Sequence, residues 1–201
     1  MPRKPVVALV GRPNVGKSTL FNRLAGQRLA IVEDLPGTTR DRHYADVEWE
    51  GKVFTVVDTG GLVLSDSDEI VSRVRDQAQA AMDEADVIVF LTDVTAGLTP
   101  GDEEIAALLR RTDKAVIVAA NKADNLTREM ATHEFHALGL GEPLAVSAIR
   151  GLSTGDLLDR IVAALPALPD EEDEPEVLHI AIVGRPNVGK SSLVNRMLGQ
   201  D

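Results

Sequence analysis

An α/β fold with a doubly wound, mostly parallel sheet is predicted by three observations. Apolar runs at 5–10, 53–57, 86–92, 115–120 and 143–147 have the continuous character of strands covered on both faces. Amphipathic helical periodicity fills the intervals at 17–25, 68–83, 102–111, 127–138 and 153–164. The connections are short, so strand and helix alternate as in crossover units whose ligands lie beyond the carboxyl ends of the strands. Residues 44–50 add a further strand, joined to 53–57 by a tight turn at Glu50-Gly51.

Composition agrees with that architecture. Hydrophobic residues make up 44% of the 201 positions but aromatic ones only 3%, giving an aliphatic core. Cysteine is absent, which excludes disulfides and thiolate metal sites. No apolar stretch approaches the roughly 20 residues of a membrane helix, and the start at Met1 lacks a secretory pattern, so a soluble cytoplasmic protein is expected. A net charge of −11 argues against direct nucleic-acid binding by bulk electrostatics.

The segment Val7-Ala8-Leu9-Val10-Gly11-Arg12-Pro13-Asn14-Val15-Gly16-Lys17-Ser18 returns as Ile180-Ala181-Ile182-Val183-Gly184-Arg185-Pro186-Asn187-Val188-Gly189-Lys190-Ser191. The interval is that of a domain rather than a solenoid unit. Leu165-Pro166-Ala167-Leu168-Pro169 and an acidic run from Asp170 to Glu176 lie between the copies. The expected organisation is one complete domain at 1–166, an acidic linker at 167–176 and the start of a second domain at 177–201. The second copy lacks its own switch and base-recognition elements, so no specific nucleotide site is expected there, and the chain reads as a piece of a longer protein.

Gly11 to Ser18 fits G-x-x-x-x-G-K-[ST], after a strand and before a helix, which makes this a P-loop NTPase pattern. Glycines let backbone N–H groups converge on phosphate oxygens at a helix N-terminus. Lys17 is expected to reach the β and γ phosphates, Ser18 to ligate Mg²⁺, and Thr19 to join the binding set. Asp58, ending a strand and followed by Thr59-Gly60-Gly61, is placed to hold Mg²⁺ through water, with the Gly61 amide near a γ-phosphate. In Asp34-Leu35-Pro36-Gly37-Thr38-Thr39-Arg40-Asp41, a threonine can complete the magnesium shell, and Thr39 is preferred over Thr38. That loop is expected to order with GTP and relax after hydrolysis.

Asn121-Lys122-Ala123-Asp124 puts N-K-x-D at a strand end. Asp124 can accept two hydrogen bonds from the N1–H and amino group of guanine, whereas adenine would leave it unpaired. Asn121 would brace the loop and the Lys122 stem would lie along the base. Ser147 and Ala148 close the site, the Ala148 amide being offered to the guanine oxygen. GTP and GDP are therefore expected over adenine nucleotides.

The ordered set resembles the translation-factor-related GTPases with Ras-like G domains, and the tandem P-loop resembles the Der (EngA) family. Pro36-Gly37-Thr38-Thr39-Arg40-Asp41, Asp58-Thr59-Gly60-Gly61-Leu62 and Gly97-Leu98-Thr99-Pro100-Gly101-Asp102-Glu103-Glu104-Ile105 carry the resemblance. It implies a bacterial GTPase acting in large ribosomal subunit assembly, with that subunit as a partner of the longer parent protein. Leu62 stands where Ras-like enzymes use a water-orienting glutamine, which implies slow intrinsic hydrolysis. Several relatives with a hydrophobic residue there use potassium, and Asn14 occupies the position that would hold K⁺. A turn-stabilising role for Asn14 stands as the alternative. Lys17, Thr39, Gly61 and Asn14 form the expected catalytic set. Arg12, Arg40 and Arg42 are read as solvated, and His43, His133, His136 and His179 share no metal-ligand spacing. The competing function is a nucleotide-dependent binding module with negligible turnover, and a further one is an interaction fragment associating through the edge at 177–183.

Overall fold

The computed structural model describes residues 3–26, 43–59, 79 and 82–166. The chain divides into two units, Met1–Pro166 and Ala167–Asp201. The second unit, with the acidic run and the repeated phosphate loop, lies outside the described residues.

The described elements run β1 (Val6–Val10), α1 (Lys17–Ala25), β2 (His43–Trp49), β3 (Lys52–Asp58), β4 (Val87–Asp93), α2 (Pro100–Leu109), β5 (Ala115–Asn121), α3 (Leu126–Ala131), a 3₁₀ segment (Thr132–Leu138), β6 (Leu144–Ala145) and α4 (Thr154–Ala164). Their sheet has the order β2-β3-β1-β4-β5-β6. Only the β2–β3 pairing is antiparallel. The polar, alternating β2 takes an edge, with Ala45 and Val47 turned inward. Its turn into β3 needs two consecutive left-handed residues, and Glu50 (φ 49°) and Gly51 (φ 76°) supply them.

Side-chain alternation along β1 divides the core. Val7 and Leu9 face a cluster with Leu20 and Leu24 of α1, Phe54 and Val56 of β3, and Leu157 and Ile161 of α4. Ala8 and Val10 face the other cluster, with Ile88 and Phe90 of β4, Ile105 and Leu109 of α2, and Phe135 and Leu138. Helices thus cover both faces, and all seven residues of the central β4 are buried. Among the described residues, no helix is long and apolar enough to cross a membrane.

Three expectations are modified. The helix at 127–138 is α-helical only to Ala131 and then tightens to 3₁₀. Thr132, Phe135 and Leu138, the residues buried in the tightened part, recur every third position. A threefold repeat sets them in one row, which the 3.6-residue turn would spread around the helix. The strand at 143–147 pairs only over Leu144–Ala145 before the chain turns, with Ser147 bridging to Leu152. Helix α2 starts earlier than its periodicity suggested, because Thr99 and Asp102 form a capping box with Pro100 in the first turn. The expected helix at 68–83 lies mostly outside the described residues, although 79 and 82–84 are helical.

Candidate nucleotide-binding site

The loop from Gly11 to Gly16 leaves the carboxyl end of β1 and enters α1 at Lys17. Gly16 takes φ 101°, and a Cβ built there would lie 2.3 Å from Asn121 Nδ2. No side chain could occupy that gap, so glycine brings the loop against the end of β5. The first turn of α1 has no side-chain cap and no acidic residue. Amide groups at such a helix start suit an anionic ligand.

Lys17 is only 7% exposed. Its Nζ donates to Gly11 O at 2.7 Å and Arg12 O at 2.8 Å. Burial lowers its pKa to about 8, with Asp58 opposing the shift and Arg12 adding to it. Asp58 ends β3 in register with Leu9 of β1, buried on the same side as Lys17's loop. Thr59, included in the expected binding set, turns its hydroxyl onto Leu9 O at 2.7 Å instead. It braces the two strand ends and is buried. Val15 is buried as well, and contributes its backbone.

Arg12 departs from the solvated arginine expected. Its Nε bonds Asp102 Oδ1 at 2.8 Å, and the Asp102 side chain is fully buried. The other oxygen of Asp102 accepts Thr99 Oγ1 at 2.7 Å and Thr99 N at 3.2 Å. One carboxylate thus caps α2 and anchors the phosphate loop.

The end of β5 ties the base side to the same loop. Asn121 Nδ2 donates to Val15 O at 2.8 Å, and Lys122 Nζ to Asn14 O at 3.0 Å. Lys122 Nζ also reaches Asp93 Oδ2 at 2.5 Å. Burial alone would raise the Asp93 carboxyl, but Lys122 and two donors from Thr95 outweigh it and hold its pKa below the ordinary value. Asp124 accepts Ser147 Oγ on Oδ1 at 2.6 Å and Arg128 Nη1 on Oδ2 at 2.9 Å. The Ala148 amide, expected to face a guanine oxygen, donates instead to Asn121 Oδ1 at 3.0 Å. Arg23 of α1 holds this turn by bonds to the carbonyls of Ala148 and Ile149.

A cleft of about 310 Å³ results, lined by Asn14, Gly16 and Thr19 of the phosphate loop and α1 and by Lys122, Asp124 and Ser147. Gly11, Pro13 and Ser18 belong to the same loop and helix start. Thr38, Thr39, Arg40, Arg42, Gly60, Gly61 and Leu62 lie outside the described residues. Sequence reasoning missed Asp93, Arg128 and Arg23. Asp93 was legible as an acid closing an apolar run, and Arg128 as a cation one helical turn beyond Asp124. Arg23 gave no local signal.

A strand–loop–helix that presents its lysine and amides, beside a loop ending in Asn121, Lys122 and Asp124, defines a P-loop nucleotide-binding G domain. The chain belongs to the family described as 50S ribosome-binding GTPase, whose model matches residues 6–122 and 179–201. Membership makes it a guanine-nucleotide-binding protein of the GTPase class. It is 62% identical over 198 residues to GTPase Der of Moorella thermoacetica, covering 98% of this chain and 45% of that protein. The chain thus spans about half the length of the curated relatives it matches. The fold is similar to a crystal structure of Aquifex aeolicus Era bound to GDP.AlF4⁻, with 32% identity, a TM-score of 0.61, and coverage of 92% of this chain and 63% of that one. It is similar too to Era in complex with MgGDPNP and a segment of 16S ribosomal RNA, at 31% identity, TM-score 0.60, and 90% and 60% coverage.

Proposed function

We propose that the chain binds GTP and GDP in this cleft and hydrolyses GTP to GDP and phosphate as a conformational switch. One observation carries the reading. Asn121 and Lys122 bond the backbone of the phosphate loop itself, so the base-recognition loop and the phosphate cradle form one rigid unit with Asp124 at its far end. Guanine would present two donors to the Asp124 carboxylate while its phosphates meet the α1 amides and Lys17. The lysine, held on two carbonyls, already points its charge into the loop and needs little reorganisation to meet an anion.

We assign Ser18, Asp58 and Thr39 to a magnesium ion, Asp58 acting through water. Their oxygens suit Mg²⁺, which keeps several waters and takes the rest of its shell from substrate phosphates rather than from a cage of acids. The ion would neutralise charge developing on the β and γ phosphates. Gly61 would donate its amide to the γ-phosphate. Asn14 is assigned to a potassium ion at the phosphates. Its backbone, at φ 64°, equally suits an asparagine that stabilises a left-handed turn. The setting proposed is the cytoplasm, where GTP and these cations are plentiful.

A second reading keeps the site and drops the turnover, because Leu62 cannot orient water. For the longer protein, the likeness to GTPase Der supports action in assembly of the large ribosomal subunit, with that subunit as partner. Phosphate release from GTP, measured in KCl and in NaCl, separates the readings. Stimulation by KCl supports an enzyme using Asn14, and equal rates remove the potassium assignment. Tight GDP binding without release in either salt leaves a binding module.

A further inference from the structure

We propose that Arg128 is a positioning residue for base specificity, fixing the Asp124 carboxylate so that it can meet both guanine donors at once. The inference rests on the reading of Asp124 as the guanine acceptor. An ionised carboxylate offers about four lone-pair sites, two on each oxygen. Among the described residues, protein donors occupy one site on each: Ser147 Oγ on Oδ1 at 2.6 Å and Arg128 Nη1 on Oδ2 at 2.9 Å. One site on each oxygen remains, which matches the paired N1–H and 2-amino donors of guanine.

The two protein bonds also fix the plane of the group. A carboxylate held at one oxygen only can still turn about its Cβ–Cγ bond, a broad and nearly twofold torsion. Held at both, it presents a fixed edge. Arg128 can do this because its own backbone is anchored, its N–H donating to Asn125 Oδ1 at 3.0 Å in the N-cap of α3. Arg128 and Asp124 both line the cleft. The pair contributes little to folding, since the arginine side chain is 42% exposed and exposed i,i+4 pairs are weak. Its removal leaves a folded protein in which binding can be measured.

The test compares GDP with inosine diphosphate, which lacks the 2-amino group and so asks Asp124 for one bond instead of two. Dissociation constants of both are measured for the wild-type chain, Arg128→Ala, Arg128→Lys and Asp124→Asn. A loosened carboxylate loses more with the two-point ligand. In Arg128→Ala the preference for GDP over inosine diphosphate should fall by about fivefold, and Arg128→Lys should restore part of it. An equal loss for both ligands, or none for either, overturns the proposal, because a purely structural arginine would not change their ratio. Asp124→Asn should weaken GDP by about a hundredfold. If it does not, the guanine reading fails and takes the proposal with it. If it does while the ratio in Arg128→Ala holds, the proposal alone fails.

Discussion

Lys17 shows how one buried charge couples folding, pH and ligand. Burial pulls its pKa to about 8, below the ordinary lysine value of 10.5. Between those values the unfolded chain binds more protons than the folded one, so this group makes stability rise with pH across that window. A bound polyphosphate reverses the shift, because an anion beside the ammonium favours the charged form. GDP binding near pH 9 should therefore take up protons, seen in calorimetry as a dependence on buffer ionisation enthalpy. Lys17→Ala should abolish that uptake, and no uptake by the wild-type chain would refute the assignment of Lys17 to the phosphates. Gly16 sets the opposite kind of limit. Alanine there combines a left-handed backbone with a Cβ 2.3 Å from Asn121 Nδ2. Gly16→Ala should cost about 1–3 kcal/mol in urea unfolding and weaken GDP binding, whereas unchanged values would contradict the close approach. The residue scale was largely readable in advance, since glycine, lysine and asparagine are demanded by chemistry at fixed spacings. Thr59 and Ala148 were not, because each spends its donor on a neighbour distant in sequence, Leu9 and Asn121.

At the scale of elements, the short connection between phosphate loop and α2 stands out. Arg12 and Asp102 are ninety residues apart in the chain, yet form one ion pair, with Asp102 also capping the helix through Thr99. Breaking a buried pair from one side leaves an uncompensated charge, so Arg12→Met should destabilise the chain by about 3–5 kcal/mol in urea denaturation. A loss below about 1 kcal/mol would mean that water reaches Asp102 freely. Local pattern revealed the strands well, because β1 is apolar throughout and β4 and β5 are apolar runs closed by Asp93 and Asn121. It overextended β6, which among the described residues pairs with β5 alone. It also read 127–138 as one α-helix, where the threefold spacing of Thr132, Phe135 and Leu138 selects a tighter winding. His133 and His136 share that spacing on the exposed side and stack with ring centroids 5.8 Å apart, as eclipsed 3₁₀ positions would.

For the molecule as a whole, alternation of strand and helix predicted a doubly wound sheet, and the order β2-β3-β1-β4-β5-β6 realises it with a single antiparallel edge. The site then follows from topology. Asp58, Asp93 and Asn121 end β3, β4 and β5 at the same margin of the sheet as the loop after β1, and residues scattered from 14 to 149 meet in one cleft. Order of motifs made that convergence legible, whereas the long-range braces Arg12–Asp102 and Arg23–Ala148 needed the fold. The central claim is that this cleft selects guanine nucleotides. It is tested most directly by isothermal titration of the 201-residue chain with GDP and with ADP, both in magnesium. Binding of GDP at least a hundredfold tighter than ADP is the expected result, because adenine brings no pair of donors to the Asp124 carboxylate. Equal affinities would contradict the assignment of Asp124 and, with it, the reading of the site.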